Sequence, residues 1–176
     1  MNCKKNFGFT LVELLVVVSV IGVLSSLGFI SYVNFSRTQI IVQTIDKIIS
    51  DLHLAQSLAS NNQRPIDPSN PSNKDGLCGS YSLIGYSFLI ESTQTYSLAA
   101  VCGSTPPSET EINTVTIPSV VTLGPVGWKA TFKVLRQGVI KTNPNNITVT
   151  AFEKLPREII VGEGGEIRLK GASEDE

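Results

Sequence analysis

Gly8-Phe9-Thr10-Leu11-Val12-Glu13, with the apolar run behind it, decides the fold. Residues 14–36 are 23 positions without a charge. A helix that spans a bilayer needs about 20 predominantly apolar residues, so this run is long enough. Upstream lies a short polar leader, Met1-Asn2-Cys3-Lys4-Lys5-Asn6-Phe7, with two positive charges. By the positive-inside rule Lys4 and Lys5 stay cytoplasmic and the C-terminal part points outward. Glu13 breaks the pattern. A carboxylate costs about 2.5–3.5 kcal/mol at the centre of a spanning helix on insertion scales, and less near the interface. No Lys or Arg lies between Lys5 and Arg37 to neutralise it. A cut after Gly8 would give Phe9 a free α-ammonium. That charge can meet the Glu13 carboxylate one helical turn away, or on a neighbouring chain.

These residues resemble the class III signal of type IV pilins and type II secretion pseudopilins. The resemblance implies cleavage between Gly8 and Phe9 by a prepilin peptidase on the cytoplasmic side, then N-methylation of Phe9. Glu13 matches the fifth residue of the mature chain, which in that family serves subunit docking within a helical fibre. Two other readings compete. A secretory signal also has a basic start and an apolar core, and Ser26-Leu27-Gly28 is a passable small-x-small cleavage site. It does not explain a charge at the head of the core, nor an apolar pattern that continues past Gly28. A plain signal anchor explains the length but neither Gly8 nor Glu13.

From Arg37 the pattern turns amphipathic. Ile41, Ile45, Ile48, Leu52, Ala55 and Ala59 recur at spacings of 4, 3, 4, 3 and 4, one face of a helix. Ile49 and Leu58 widen that stripe, while Gln39, Gln43, Asp46, Lys47 and Ser50 face water. No Pro occurs between Phe9 and Arg64. One helix from about Phe9 to Asn61 is therefore expected, on the order of 75–80 Å long, ending ahead of Pro65. Its first half belongs in lipid and its second half on a globular domain.

Residues 62–79 are a loop by composition, with Pro65, Pro68 and Pro71 among Asn, Ser and Asp. Strands are expected at 81–91 and 95–102, joined by a turn at Ser92-Thr93-Gln94, and Pro106-Pro107 opens a second loop. Short β runs follow at 114–117, 120–123, 129–135, 147–152, 158–161 and 166–170, set off by Gly, Pro and Asn. The expected fold class is α+β: a long N-terminal helix packed on an antiparallel β-rich domain of six to eight strands, pilin-like in outline. Its parts are a leader (1–8), a membrane or filament-core half of the helix (9–36), an amphipathic half (37–61), a β-rich domain (62–170) and an acidic tail (171–176).

The closing segment, Glu158-Ile159-Ile160-Val161-Gly162-Glu163-Gly164-Gly165-Glu166-Ile167-Arg168-Leu169, reads as a hairpin. It resembles the end of the GspH/FimT group of minor pilins and pseudopilins, which often finish on a Gly-x-x-Arg strand; Gly165 and Arg168 fit. Residues 51–59 resemble the second helical half of that group. Arg136-Gln137-Gly138-Val139-Ile140 resembles its mid-domain strand.

Little catalytic chemistry is legible. Lys plus Arg is 14 and Asp plus Glu is 15, a net charge of −1, which gives the chain no overall attraction for nucleic acid or anionic lipid. One His and three Cys match four zinc ligands in number, but without a C-x-x-C pair, so no metal and no cofactor is expected. Cys3 leaves with the leader. Cys78 and Cys102 lie in the outward-facing domain, where an even pair points to a disulfide. The turn at Ser92–Gln94, however, sets Cys102 opposite Leu83 or Ile84, so the chain before Tyr81 must curl back. The alternative is two free buried thiols.

His53 is the only imidazole and has no nucleophile and acid converging on it. Gly162-Glu163-Gly164-Gly165 is a turn rather than a phosphate loop, because Glu163 and Glu166 repel phosphate. Trp128 reads as core. No enzyme is expected. The chain reads as a structural subunit of a type IV pilus or type II secretion pseudopilus. Its partners are prepilin peptidase, other pilin or pseudopilin subunits through the helix, and the inner membrane before assembly. The alternative is a DNA-binding minor pilin for uptake. Lys129, Lys133, Arg136 and Lys141 could form a local basic patch for it, but without Lys4 and Lys5 the chain keeps 12 basic against 15 acidic residues.

Overall fold

The computed structural model describes residues 10–66, 76–104, 106–136, 138–141, 144–152 and 156–170, without the side chains of 26–31, 34, 77 and 136. The leader, the Gly8–Phe9 bond and the acidic tail lie outside the described residues. The chain divides into two compact units, Met1–Ile40 and Ile41–Glu176.

One helix, α1 (Leu11–Ser60), runs through both. In the first unit Thr10 caps it. Leu14 N donates to Thr10 O at 3.2 Å, and Glu13 N donates to Thr10 Oγ1 at 3.3 Å. A hydroxyl at this place satisfies one of the donors that the first helical turn leaves orphaned. The apolar side chains from Leu11 to Leu24 are exposed.

In the second unit the stripe Ile41, Ile45, Ile48, Leu52, Ala55 and Ala59 is buried. The helix stops because Asn62 turns left-handed at φ 47°. Asn62 N then reaches Ala59 O at 3.1 Å and Gln63 N reaches Leu58 O at 3.1 Å. These two bonds close the last carbonyls of the helix, and Asn tolerates the left-handed turn better than most residues.

Nine strands follow among the described residues: β1 (Leu83–Ile90), β2 (Thr95–Cys102), β3 (Ser108–Thr116), β4 (Val121–Gly124), β5 (Lys129–Lys133), β6 (Val139–Lys141), β7 (Asn146–Ala151), β8 (Arg157–Val161) and β9 (Ile167–Lys170). They form an antiparallel five-stranded sheet in the order β3-β2-β1-β5-β6 and a four-stranded one in the order β4-β7-β8-β9. In β4, β7 and the end of β8 every other residue is buried, as in Ile147, Val149 and Ala151, the period-2 signature of a half-covered sheet. The core of the first centres on Trp128, Phe88 and Tyr96. Phe88 stacks on Tyr96 at 4.8 Å and meets Trp128 edge-on at 6.2 Å. Trp128 is buried as expected, and its Nε1 donates to Pro144 O at 2.8 Å. The architecture is α+β and pilin-like: a helix packed on an antiparallel β-sheet domain.

Three local expectations change. The strand foreseen at 114–117 begins at Ser108, because β3 is an edge strand exposed along most of its length and Ser-Glu-Thr-Glu carries no apolar alternation to reveal it. The run foreseen at 129–135 breaks after Lys133. Residues Val134–Arg136 make a tight turn with Leu135 at φ 56°, and β6 starts only at Val139. The strand count is nine rather than six to eight for the same reason.

Candidate processing and assembly segment

Glu13 sits in the first turn of α1. Its main-chain N–H, not its carboxylate, is what meets Thr10 Oγ1. Its neighbours in sequence, Val12, Leu14 and Val16 to Val18, are exposed apolar residues. A contiguous run of exposed apolar side chains marks a place for lipid or for other chains. Gly8 and Phe9 lie just upstream, outside the described residues. Among the described residues no helix is long and apolar enough to cross a membrane. The uncharged run at 14–36 includes 26–31 and 34, whose side chains are not described.

Further along α1 lies a polar contact that the sequence reading missed. Asp51 is buried within the apolar stripe, three residues after Ile48 and four before Ala55. Tyr96 Oη donates to Asp51 Oδ2 at 2.7 Å, and Lys47 Nζ pairs with Oδ1 at 2.9 Å. The signal was present: an acid on the buried face with a lysine four residues before it. Below it, Tyr86 Oη donates to Gln63 O just past the helix end, and Gln56 Nε2 donates to Gly165 O at 2.9 Å. Three side chains thus pin the helix to β2, to β1 and to the β8–β9 turn.

The two tyrosines carry a pH signature. Burial pushes the Tyr86 phenol up to about 12 from its ordinary 10.0. Burial also raises Tyr96, helped by its bond to Asp51 and by the Asp51 charge. Above pH 10 the unfolded chain releases protons that the folded chain keeps. Stability is therefore full below about pH 10 and falls as pH rises toward 12, by about 1.4 kcal/mol per pH unit for each tyrosine. Thermal melts followed by Trp128 fluorescence should show the midpoint dropping over that window. Tyr86→Phe should make the drop shallower, and a midpoint flat through pH 12 would contradict the assignment.

Cys78 and Cys102 are joined by a disulfide, with Cα atoms 5.4 Å apart. Cys102 stands opposite Leu83, because the ladder that the turn at Ser92–Gln94 sets from Ile90 to Gly85 shifts by one residue between Gly85 and Leu83. The curl that this register demands is a single 3-10 turn at Gly76–Cys78. Gly79 N bonds Gly76 O and Tyr81 N bonds Cys78 O, which swings Cys78 back over the end of β2.

His53 is brought to a groove rather than to a catalytic partner. The groove, about 670 Å³, lies between the last two turns of α1, the β5–β6 hairpin and the β8–β9 turn. Lys133 is on its opposite wall. Of the foreseen basic patch, Lys129 and Lys141 are engaged elsewhere, and the side chain of Arg136 lies outside the described residues. Lys129 pairs with Glu109, and Lys141 Nζ donates to Val161 O at 2.6 Å. Among the described residues no cluster of His, Cys, Asp and Glu has a metal-binding arrangement.

Residues 3–29 match the family model described as the prokaryotic N-terminal methylation motif. The chain therefore carries a type IV pilin-like, class III signal. That motif supports a pilin-like subunit that is processed by a prepilin peptidase, inserted in the membrane before assembly, and assembled with other pilins. The class is structural rather than catalytic. No curated protein and no solved structure matches the chain.

Proposed function

We propose that this chain is a minor pilin or pseudopilin of a type IV pilus or a type II secretion pseudopilus. It enters the inner membrane as a single-pass precursor with Lys4 and Lys5 in the cytoplasm and the β domain outside. Prepilin peptidase cuts between Gly8 and Phe9, Phe9 is N-methylated, and residues 9–36 pack with the helices of other subunits. The motif at residues 3–29, with Glu13 inside an otherwise apolar segment, is the observation that carries this reading. The GspH/FimT group remains the subgroup that the Gly165 and Arg168 hairpin favours. DNA uptake draws less support, since Lys129 and Lys141 are engaged within the fold and the processed chain is acidic.

Mass spectrometry of membrane-extracted protein tests it. The mature chain should begin at Phe9 and carry one extra methyl group on its amine. An N-terminus at Met1, or at Phe29 after secretory-type cleavage, would overturn the reading.

A further inference from the structure

Among the described residues the two sheets end in four edge strands, β3 and β6 on the first, β4 and β9 on the second. Two of these edges are closed by the fold. Leu123 N of β4 donates to Thr93 O at 2.8 Å, and Val139 N of β6 donates to Glu163 O at 3.1 Å. The outer main-chain groups of β3, and those of Ile167 and Leu169 in β9, meet no protein group among the described residues. An open edge is a template for a further strand.

The ladders set which groups point outward, because alternate residues of an antiparallel pair exchange the hydrogen bonds. Ile117 N bonds Gln94 O, and Gly103 N bonds Ser82 O. Even-numbered residues along β2 therefore bond toward β3 and odd-numbered ones toward β1. Ala100 and Cys102 take Thr110 and Ser108, which leaves the N–H and C=O of Glu109 and Glu111 on the open side. Likewise Gly162 N bonds Glu166 O, so Arg168 and Lys170 bond toward β8 while Ile167 and Leu169 face out.

The side chains of the two edges then match. In a parallel pair an outward residue of one strand lies beside a residue of the other whose neighbours supply the bonds. Laid in parallel, residues 108–111 and 167–170 set Glu109 beside Arg168 and Glu111 beside Lys170, on one face. The ladder of β3 shifts at Ile112, just beyond this stretch, and β9 ends at Lys170. Like edges do not match. Antiparallel β3 on β3 sets Glu109 against Glu111, β9 on β9 sets Arg168 against a second Arg168, and like charges directly opposite are destabilising. Glu111 has no side-chain partner among the described residues. Arg168 meets Glu166 at 3.7 Å, but their side chains are 72% and 51% exposed, a pair worth little. Glu109 already meets Lys129, and Lys170 stands opposite Glu158 of β8, so the added contacts continue an alternation of charge.

We propose that β9 of one copy of this chain adds as a parallel strand to β3 of a second copy, with Arg168 beside Glu109 and Lys170 beside Glu111. The contact joins unlike edges, so it repeats head to tail rather than closing about a two-fold axis. It goes beyond the filament-subunit reading and draws on the β domain alone.

The test uses the full chain in detergent, mixed from light and heavy isotope-labelled protein. Carbodiimide should join Glu111 to Lys170, and the linked pairs should include one light with one heavy peptide. Glu109→Lys with Glu111→Lys should weaken self-association in sedimentation by about tenfold or more, as should Arg168→Glu with Lys170→Glu, since two attractive cross-strand pairs become repulsive. Each double variant carries one sign on both edges, and the two variants carry opposite signs. Their equal mixture should therefore associate as wild type does and give links between positions 111 and 170 of unlike variants. A folding defect would not be repaired by mixing. Absence of light–heavy links, double variants that associate as wild type does, or a mixture that stays apart would each overturn the proposal. Failure of the filament reading shows separately, as an N-terminus other than Phe9.

Discussion

Replacing both Cys78 and Cys102 by Ser should lower the stability of the β domain by about 3 kcal/mol. The bridge closes a segment with a sequence separation of 24. In the chain-entropy picture a loop of that size removes roughly 3–4 kcal/mol of conformational freedom from the unfolded chain. The bonded sulfurs are also buried, with Cys102 1% exposed, so two Ser hydroxyls would enter an apolar place with few partners. Each effect has the same sign. For a domain of this size the melting temperature should fall by about 10 °C. Trp128, the single Trp, reports on the β domain without interference from the first half of α1. Reductant should reproduce the shift in the wild type and leave the double variant unmoved. Wild type from an oxidising compartment, with Cys3 removed in the leader, should carry no thiol reactive to maleimide. A double variant that melts with wild type would show that the bridge adds nothing to the fold.

The long helix and the closing hairpin were legible because each rests on local chemistry. The stripe from Ile41 to Ala59 repeats at helical spacing and is buried as a single face. Glycines at 162, 164 and 165 mark the β8–β9 turn, and Gly165 does adopt φ 91°. What escaped was set by partners distant in sequence. β3 is a strand because it pairs with β2 from Thr95 to Cys102, not because its own residues alternate. Lys129 to Leu135 has the composition of one strand, yet Leu135 turns left-handed where the chain must bend into β6. Asp51 was readable as a helix residue. Its place on the buried face was readable too, but its partner Tyr96, 45 residues away, was not. The candidate site divides the same way. Gly8, Phe9 and Glu13 are candidates drawn from one contiguous motif, while the groove at Lys133 draws on three separate stretches of chain.

Glu13→Ala should leave the precursor inserted and cleaved but keep it out of filaments. Insertion becomes easier, since a charge is removed from the apolar segment. The helix start should not change. Thr10 Oγ1 accepts from the Glu13 main-chain N–H, which Ala retains. Cleavage after Gly8 should also persist, because the peptidase acts on the cytoplasmic side of Glu13. The loss falls on docking. If the Glu13 carboxylate meets the Phe9 ammonium of a neighbour within an apolar bundle, both charges are costly alone and tolerable together. Removing one leaves the other unpaired, at roughly 3–5 kcal/mol in a buried setting. That is a drop of more than a hundredfold in the equilibrium for entering the filament, since each 1.4 kcal/mol is about a factor of ten. Glu13→Asp keeps the charge on a shorter arm and should fall between Ala and wild type. Glu13→Gln separates charge from shape, and should resemble Ala if the ammonium is the partner. Sheared filaments counted against the membrane pool give the readout. Equal incorporation of Glu13→Ala and wild type would leave Glu13 as an interfacial charge that the membrane merely tolerates.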